Sequence, residues 1–567
     1  MKLVRVRIEN FRSIRSEEFA FPESNMLVLV GANNAGKSNI IRAIDAICGD
    51  TWYGREKIEP HDYYLRDAER EIKIHLFFDD GRRVKWSSNE KWPSYTHGNG
   101  EKTYTSIKDD YPCIYLGADR ILDRHINFNE WTLLSKVKRH FHKHASDLAT
   151  ELAQRYQEVV TLFKQVKGFT DFLEGFEKTF SELQADTPAK LSIDFKPYTP
   201  TNFFKTLQIL VQDPHLGGAD VGLEELGEGS RNVVLLALLL SYAQFFKATP
   251  GLVALEEPEL FLHPHARRHL MMALREIAAS GHQVILSTHS ASFVDTEGFD
   301  SIGRVYKVPD PQENNAPSTK LRLVSRDKLV QHCKATGVPG HRVKKENIGP
   351  FYRATGTSKL NDGFFARYVV LVEGETEELA LPVLLGHVGV DCDRHGVSII
   401  NVIGKSNLTR YWRMFSAFGI RTLMVFDNDN NAEQKENKDL ATCMALAVSD
   451  FCNNITICKC IEANRAGKSP LVIVNGNFEA ALKSDYATWA KDHFPADGDD
   501  LDRWTKEAHD FITQGKGLIA RFVATRMCEE QPEFVPLIVD AVAQQLATTL
   551  GIKLTRTRAV DEDDIPF

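Results

Sequence analysis

The sequence predicts an α/β chain in which two parallel-sheet domains follow one another, and three observations carry that prediction. An apolar strand, "MLVLV" at 26–30, runs straight into "GANNAGKSN". Another, in "GLVALEEPE", ends in the paired acids Glu256 and Glu257. Two more, "YVVLVEGETEE" and "TLMVFDNDN", end in Glu373 and in Asp427 and Asp429. Short runs of β-branched and apolar residues suit strands covered on both faces. In open α/β sheets the residues that close such strands gather at the carboxyl edge, where sites form.

A chain of 567 residues exceeds what one hydrophobic core supports, so several domains are expected. The composition, 43% hydrophobic and 26% charged, is that of a globular protein, and a net charge of −8 excludes a uniformly basic coat while leaving room for a basic groove. Nine cysteines without a CxxC pair favour a reducing interior. "MKLVRVRIEN" lacks the apolar stretch of a secretory signal, and the apolar run at 233–246 is too short to span a bilayer. We therefore expect a soluble, cytoplasmic protein without membrane partners.

The N-terminus alternates Val4, Val6 and Ile8 with Arg5, Arg7 and Glu9, as in a half-buried strand. Gly31, Gly36, Lys37 and Ser38 then satisfy G-x-x-x-x-G-K-[ST] between a strand and a helix. Backbone N–H groups of this loop, including those at Asn33 and Asn39, are placed to cradle the phosphates of ATP at a helix N-terminus. Lys37 adds charge and Ser38 a ligand for Mg²⁺; we expect Lys37 to face solvent when no nucleotide is bound. Downstream, one acid of the Glu256–Glu257 pair can hold Mg²⁺ through water and the other can polarise an attacking water. "LGEGSRN" at 226–232 opens a long apolar helix, and "HQVILSTHS" is a strand ending at His289.

This order resembles the ABC-type ATPases of the RecF, SMC and Rad50 group. The resemblance implies that Gly227, Gly229 and Ser230 form a signature capping a partner subunit's γ-phosphate. It also implies that Glu256 serves the metal, that Glu257 is the catalytic carboxylate and His289 the switch histidine, and that Arg12 contacts nucleotide. Glu256 stands where that group often has Asp, and the Q-loop glutamine has no evident counterpart.

Between 126 and 190, Leu148, Leu152, Tyr156, Val159 and Leu162 recur at helical spacing. The stretch is too short for a coiled-coil arm and reads as an inserted helical dimerisation element, dividing the ATPase into 1–125 and 191–310. "KVKRHFHKH" at 136–144 places His140 and His144 on one helix face, but a solvated basic face is the simpler reading. The proline-bearing polar run at 308–320 reads as a loop, so 311–367 is expected to be a connector, followed by a domain at 368–567.

In that last domain, the acids crowd at strand ends with no Cys or His beside them. Like charges so placed repel unless water or a cation lies between them; separately solvated strand ends are the plainer alternative, but as a cation site the all-oxygen set suits Mg²⁺, with Mn²⁺ or Ca²⁺ as substitutes. The pattern looks like a Toprim domain, with Glu373 in its first motif and Asp427 and Asp429 in its second. An ABC-type ATPase followed by Toprim resembles the OLD (overcoming lysogenization defect) endonucleases. That resemblance implies Glu377 and Glu479 as further metal ligands and a catalytic role for Lys516 beside Glu373. It further implies DNA as substrate, a homodimer or larger homo-oligomer, a role in bacterial anti-phage defence, and a helicase-like or retron-type partner. A non-cleaving repair ATPase that clamps DNA would have no use for the acids at 373–429. A topoisomerase needs a further DNA-binding domain with a nucleophilic tyrosine, and a primase usually a zinc module.

Overall fold

The computed structural model describes residues 1–49, 53–118, 149–165, 209–245, 251–445 and 471–558, less short stretches within 90–106 and at 214–218, 354–357, 432, 475, 494–499 and 513–514. In the N-terminal half the strands are β1 (Leu3–Phe11), β2 (Ile14–Ala20), β3 (Met26–Val30), β4 (Lys73–Phe78), β5 (Arg83–Ser87), β6 (Ser94–Thr96), β7 (Lys102–Thr103) and β8 (Cys113–Leu116). They continue with β9 (Leu210–Asp213), β10 (Ala219–Gly222), β11 (Leu252–Glu256), β12 (Gln283–Ser287), β13 (Ile302–Asp310) and β14 (Ala316–Leu323). The C-terminal half carries β15 (Tyr368–Val372), β16 (Val397–Asn401), β17 (Arg421–Asp427) and β18 (Leu471–Val474).

One sheet of order β2-β1-β4-β5-β6-β7 is antiparallel, and a second runs β14-β13-β3-β12-β11-β8 with a parallel centre. Apolar side chains of the helix Lys37–Cys48, Ile40 and Ile44 among them, pack into a core shared by the two sheets. β3 is buried on both faces, as its unbroken apolar run requires: Leu27 and Leu29 enter that core while Met26, Val28 and Val30 enter another. In β1 the pairing with β4 shifts between Leu3 and Arg5, so Val4 is 41% exposed instead of joining Val6 and Ile8 inside. The C-terminal sheet, β16-β15-β17-β18, is wholly parallel.

The expected connector is not one. Residues 302–323 form a hairpin whose second strand, β14, is the edge of the ATPase sheet. Its polar run is turn chemistry: Asn314 and Asn315 take left-handed φ values of 50° and 60°, and Asp310 accepts from the Gln312 N–H. Pro309 and Pro317 face one another near the turn, where an edge pair tolerates them. Beyond it, Leu329, Cys333, Ile348, Tyr352 and Phe364 are buried in one core that includes Val28 and Leu286 of the ATPase and Leu371 and Phe426 of the C-terminal sheet. Alternation along β17 and β15 did not reveal this, because a strand buried twice looks alike on both faces. The inserted element lies mostly outside the described residues; within it, Ala149–Lys164 is a helix exposing Val159 and Leu162.

A shared core predicts shared stability. Phe364 sits between Phe415 and Phe418, with ring centroids 5.4 and 5.2 Å away. Phe364→Ala should cost about 3–5 kcal/mol and lower the melting of both halves together in calorimetry. Loss confined to one half would contradict a continuous core.

Candidate metal centre and nucleotide cleft

β15 and β17 are hydrogen-bonded neighbours, so their carboxyl ends, and the acids that follow, lie side by side. Glu373 leaves β15, and its backbone carbonyl accepts from the Gly404 N–H at 2.9 Å. Gly374 is the extended N-cap of the helix Glu375–His387, and Glu377 caps that helix by accepting from the Gly374 N–H at 3.2 Å. Asp427 ends β17. Asn428, fully buried, folds the following turn by accepting from the N–H groups of Asn430 at 2.9 Å and Gly476 at 2.7 Å. This turn puts Asp429 and Asn430 in left-handed conformations, with φ 52° and 51°.

The electrostatics are those of acids forced together out of water. Burial, with Glu377 and Glu373 adding negative charge, pushes the Asp427 carboxyl up to about 8. Burial also raises Glu373 to about 7, with Lys405 opposing and Asp429 and Glu377 reinforcing the shift. Glu377 is raised by burial and by Glu479. Glu373 Oε2 and Asp427 Oδ1 are buried without a hydrogen-bond partner, the costliest condition for a carboxylate oxygen. Among the described residues no three acidic, histidine or cysteine side chains already close on one cation position. The two orphaned oxygens and the all-oxygen donor set nonetheless fit a hard divalent cation. Glu479 is exposed and accepts from the Thr376 hydroxyl at 2.9 Å, which ties it to this edge. Lys516 is exposed at the start of the helix Lys516–Glu530, which packs so closely on the neighbouring helix that a Cβ on Gly517 would lie 2.8 Å from the Glu375 carbonyl.

At the ATPase end, a cleft of about 770 Å³ is lined by Ser13, Asn33 to Asn39, Glu257, His289 and Lys307. Asn33, Gly36, Lys37, Ser38, Asn39, Glu257 and His289 are thus brought together. Lys37 is not solvent-facing: it is 5% exposed and donates to the carbonyls of Gly31 at 2.9 Å and Ala32 at 3.1 Å. A loop curled round an ammonium satisfies its own carbonyls that way, and burial lowers the lysine to about 8. Glu257 Oε1 lies 3.5 Å from His289 Nε2, whose ring is kept neutral first by burial and then by Lys37.

Other expected residues lie apart from this lining. Glu256 is 3% exposed and accepts from Tyr115 at 2.7 Å and Arg42 at 3.2 Å. Arg12 pairs with Asp62 at 2.9 Å while its neighbour Ser13 meets the cleft. Gly227, Gly229 and Ser230, at the start of the helix Glu228–Phe245, are not among the residues lining the chain's own cleft. Sequence reading missed Lys405, Thr319 and Glu259. Glu259 accepts from the Thr288 hydroxyl at 2.8 Å and the His289 N–H at 2.7 Å. A lysine just after Gly404 near acid-ended strands was a readable signal; Thr319 and Glu259 offered none.

The raised carboxyls make a stability prediction. Each binds its proton more tightly folded than unfolded, so protein without metal should lose stability progressively as pH rises from the ordinary carboxylate range, about 4, to about 7 to 8. Asp427→Asn removes one such ionisation. Without metal it should melt a few degrees above wild type near pH 8.5, with the gap closing as pH falls toward about 4, where the unfolded carboxyl is itself protonated; added Mg²⁺ should reverse the ranking. Wild type that is as stable as the variant at the higher pH without metal would contradict the shift.

Residues 364–429 match the family model described as Overcoming lysogenization defect protein-like, TOPRIM domain, and residues 26–295 match the AAA domain, putative AbiEii toxin, Type IV TA system. The chain is 24% identical to the OLD nuclease of Thermus scotoductus over 78% of its own length and 88% of that protein. It is 24% identical to the Old nuclease of Escherichia phage P2 over 85% of each chain. It is 22% identical to the endonuclease GajA of Bacillus cereus over 81% of each. The chain thus carries an AAA-type ATPase domain followed by an OLD-like Toprim domain and is similar over most of its length to OLD nucleases and GajA.

Proposed function

We propose that the chain is an ATP-binding, metal-dependent DNA endonuclease in which nucleotide governs a phosphodiester-cutting Toprim site. The observation that carries this reading is the pair of orphaned carboxylate oxygens on Glu373 and Asp427 at adjacent strand ends. Relatives named as nucleases over most of the chain support it.

In this reading Glu373, Glu377, Asp427, Asp429 and Glu479 hold Mg²⁺ or Mn²⁺, with Ca²⁺ as a substitute. Bound there, the metal supplies Lewis-acid activation of water and offsets charge at the phosphate. Glu373, raised to about 7, is suited to take the proton of the attacking water near neutral pH. Glu377 keeps the turn after β15 in place through its cap. Lys516, on the helix packed against that turn, would counter charge developing on the phosphate.

ATP would occupy the cleft around Lys37, which must then exchange the Gly31 and Ala32 carbonyls for phosphate oxygens. Ser38 and Glu256 would serve its Mg²⁺, Glu257 would orient water, and His289 would report the γ-phosphate to it. Arg12, on the hairpin edging the cleft, would contact the nucleotide. Gly227, Gly229 and Ser230 would cap the nucleotide of a second copy, which makes a homodimer or larger homo-oligomer the working form. The exposed Val159 and Leu162 of the inserted helix fit a role in that assembly. No helix among the described residues is long and apolar enough to cross a membrane. A cytoplasmic setting, a place in anti-phage defence and a helicase-like or retron-type partner rest on the family resemblance.

Plasmid cleavage separates the two sites. Asp427→Ala should bind ATP but cut nothing, whereas Glu257→Gln should slow ATP turnover and still cut, because phosphodiester hydrolysis needs no ATP energy. A cutting Asp427→Ala, or a Glu257→Gln that never cuts, contradicts this division. ATP turnover should also need two chains. Lys37→Ala and Ser230→Arg proteins, each inactive, should regain partial turnover once subunits exchange; no recovery after proven exchange contradicts a composite site.

A further inference from the structure

One short helix joins the metal centre to the nucleotide cleft, and both of its ends are held. The turn before it hangs on the metal centre: besides the Gly404 contact to Glu373, Lys405 Nζ donates to Asp429 Oδ2 at 2.6 Å and Gln434 Oε1 at 2.9 Å. Lys405 is 6% exposed, so its ammonium depends on these partners in place of water. In the same turn Ile403 holds a φ of 58°, a left-handed conformation that a β-branched residue keeps only when its surroundings impose it.

The helix Leu408–Ala417 then runs to the ATPase. There Arg304 donates to the carbonyls of Phe418 at 3.2 Å and Gly419 at 2.7 Å, and Arg322 to that of Ala417 at 2.8 Å. Arg304 and Arg322 are directly opposed across β13 and β14. Like charges in that position repel, and the negative end of the helix they grip offsets the repulsion. Gly419, with φ 68°, lies so near that a Cβ would come 2.9 Å from Arg322 Nη1.

The same two strands support the phosphate loop. The Val305 carbonyl would lie 2.1 Å from a Cβ on Gly31, and the Thr319 hydroxyl donates to the Ala35 carbonyl at 2.8 Å. Val305 adjoins Arg304, and Thr319 lies roughly 10 Å of strand from Arg322.

We propose that the helix Leu408–Ala417 is the link through which nucleotide sets the place of Lys405, and that Lys405 is a positioning residue for Asp429. This rests on the reading of the two sites given above and adds the route between them. Drawing Lys37 off the Gly31 and Ala32 carbonyls releases the loop that leans on Val305 and Thr319. The displacement passes along β13 and β14 to the arginine pair and then along the helix to Lys405. Such coupling is reciprocal, so occupation of the metal centre shifts nucleotide affinity by the same factor.

Hydrogen–deuterium exchange on the full chain, with and without a non-hydrolysable ATP analogue, tests this without relying on cleavage. In wild type the analogue should change exchange at 401–417 by about fivefold or more, the low end of allosteric couplings. In Arg304→Ala/Arg322→Ala the analogue should still protect residues 31–39 while the response at 401–417 is lost. If that variant fails to fold, Arg322→Ala alone, at an exposed position, should lose part of the response. Bound analogue that leaves 401–417 unchanged in wild type, or a folded variant that keeps the full response, overturns the proposal. Failure of wild type to bind the analogue overturns the nucleotide reading and the route with it. Failure to cut DNA with the exchange response intact overturns only the nuclease reading.

Discussion

Everything at the C-terminal sheet edge answers to one constraint: two carboxylates, Glu373 and Asp427, close adjacent buried strands and cannot both carry charge without a nearby cation. Burial, reinforced by neighbouring carboxylates, pushes both toward their protonated forms. At this edge the buried ammonium of Lys405 is held by Asp429 and Gln434. Oxygens on Glu373 and Asp427 remain without partners. A protein that keeps such groups for stability alone would gain by replacing them with apolar residues; a site that must hold a hard cation has to retain them.

The second constraint is mechanical. A phosphate loop and a metal centre on separate domains could move independently, but here they rest on one hydrophobic core running from β3 through Tyr352 and Phe364 to β15 and β17. Interiors packed this way respond to local change by switching between arrangements rather than by yielding smoothly. In the proposed route, Ile403 and Gly419, both at positive φ, flank the two ends of the connecting helix.

Much of this was legible in the sequence, for physical reasons that also explain what was not. The glycines and lysine of the phosphate loop, and acids ending apolar strands, announce themselves because each motif occupies a strand-to-helix junction. Asp427 and Asp429 could be paired with Glu373 because parallel strands present their carboxyl ends at one edge. The hairpin at 302–323 was hidden, since its prolines and asparagines read as a loop when their partner strand is unknown. Lys37 was misjudged because the motif gives its partner when nucleotide is bound and says nothing of the carbonyls it takes otherwise. Residues that act through tertiary contact, such as Thr319 on the phosphate loop and Arg304 on the helix end, carry no local signature.

The acids at this edge are arranged to form a cation site. Titrating Mn²⁺ into nucleotide-free protein by calorimetry, wild type beside Asp427→Asn, tests it most directly. Saturable binding in wild type, weakened at least about tenfold in the variant, is the predicted result. Equal affinity in the two proteins, or no saturable binding in wild type, would contradict it.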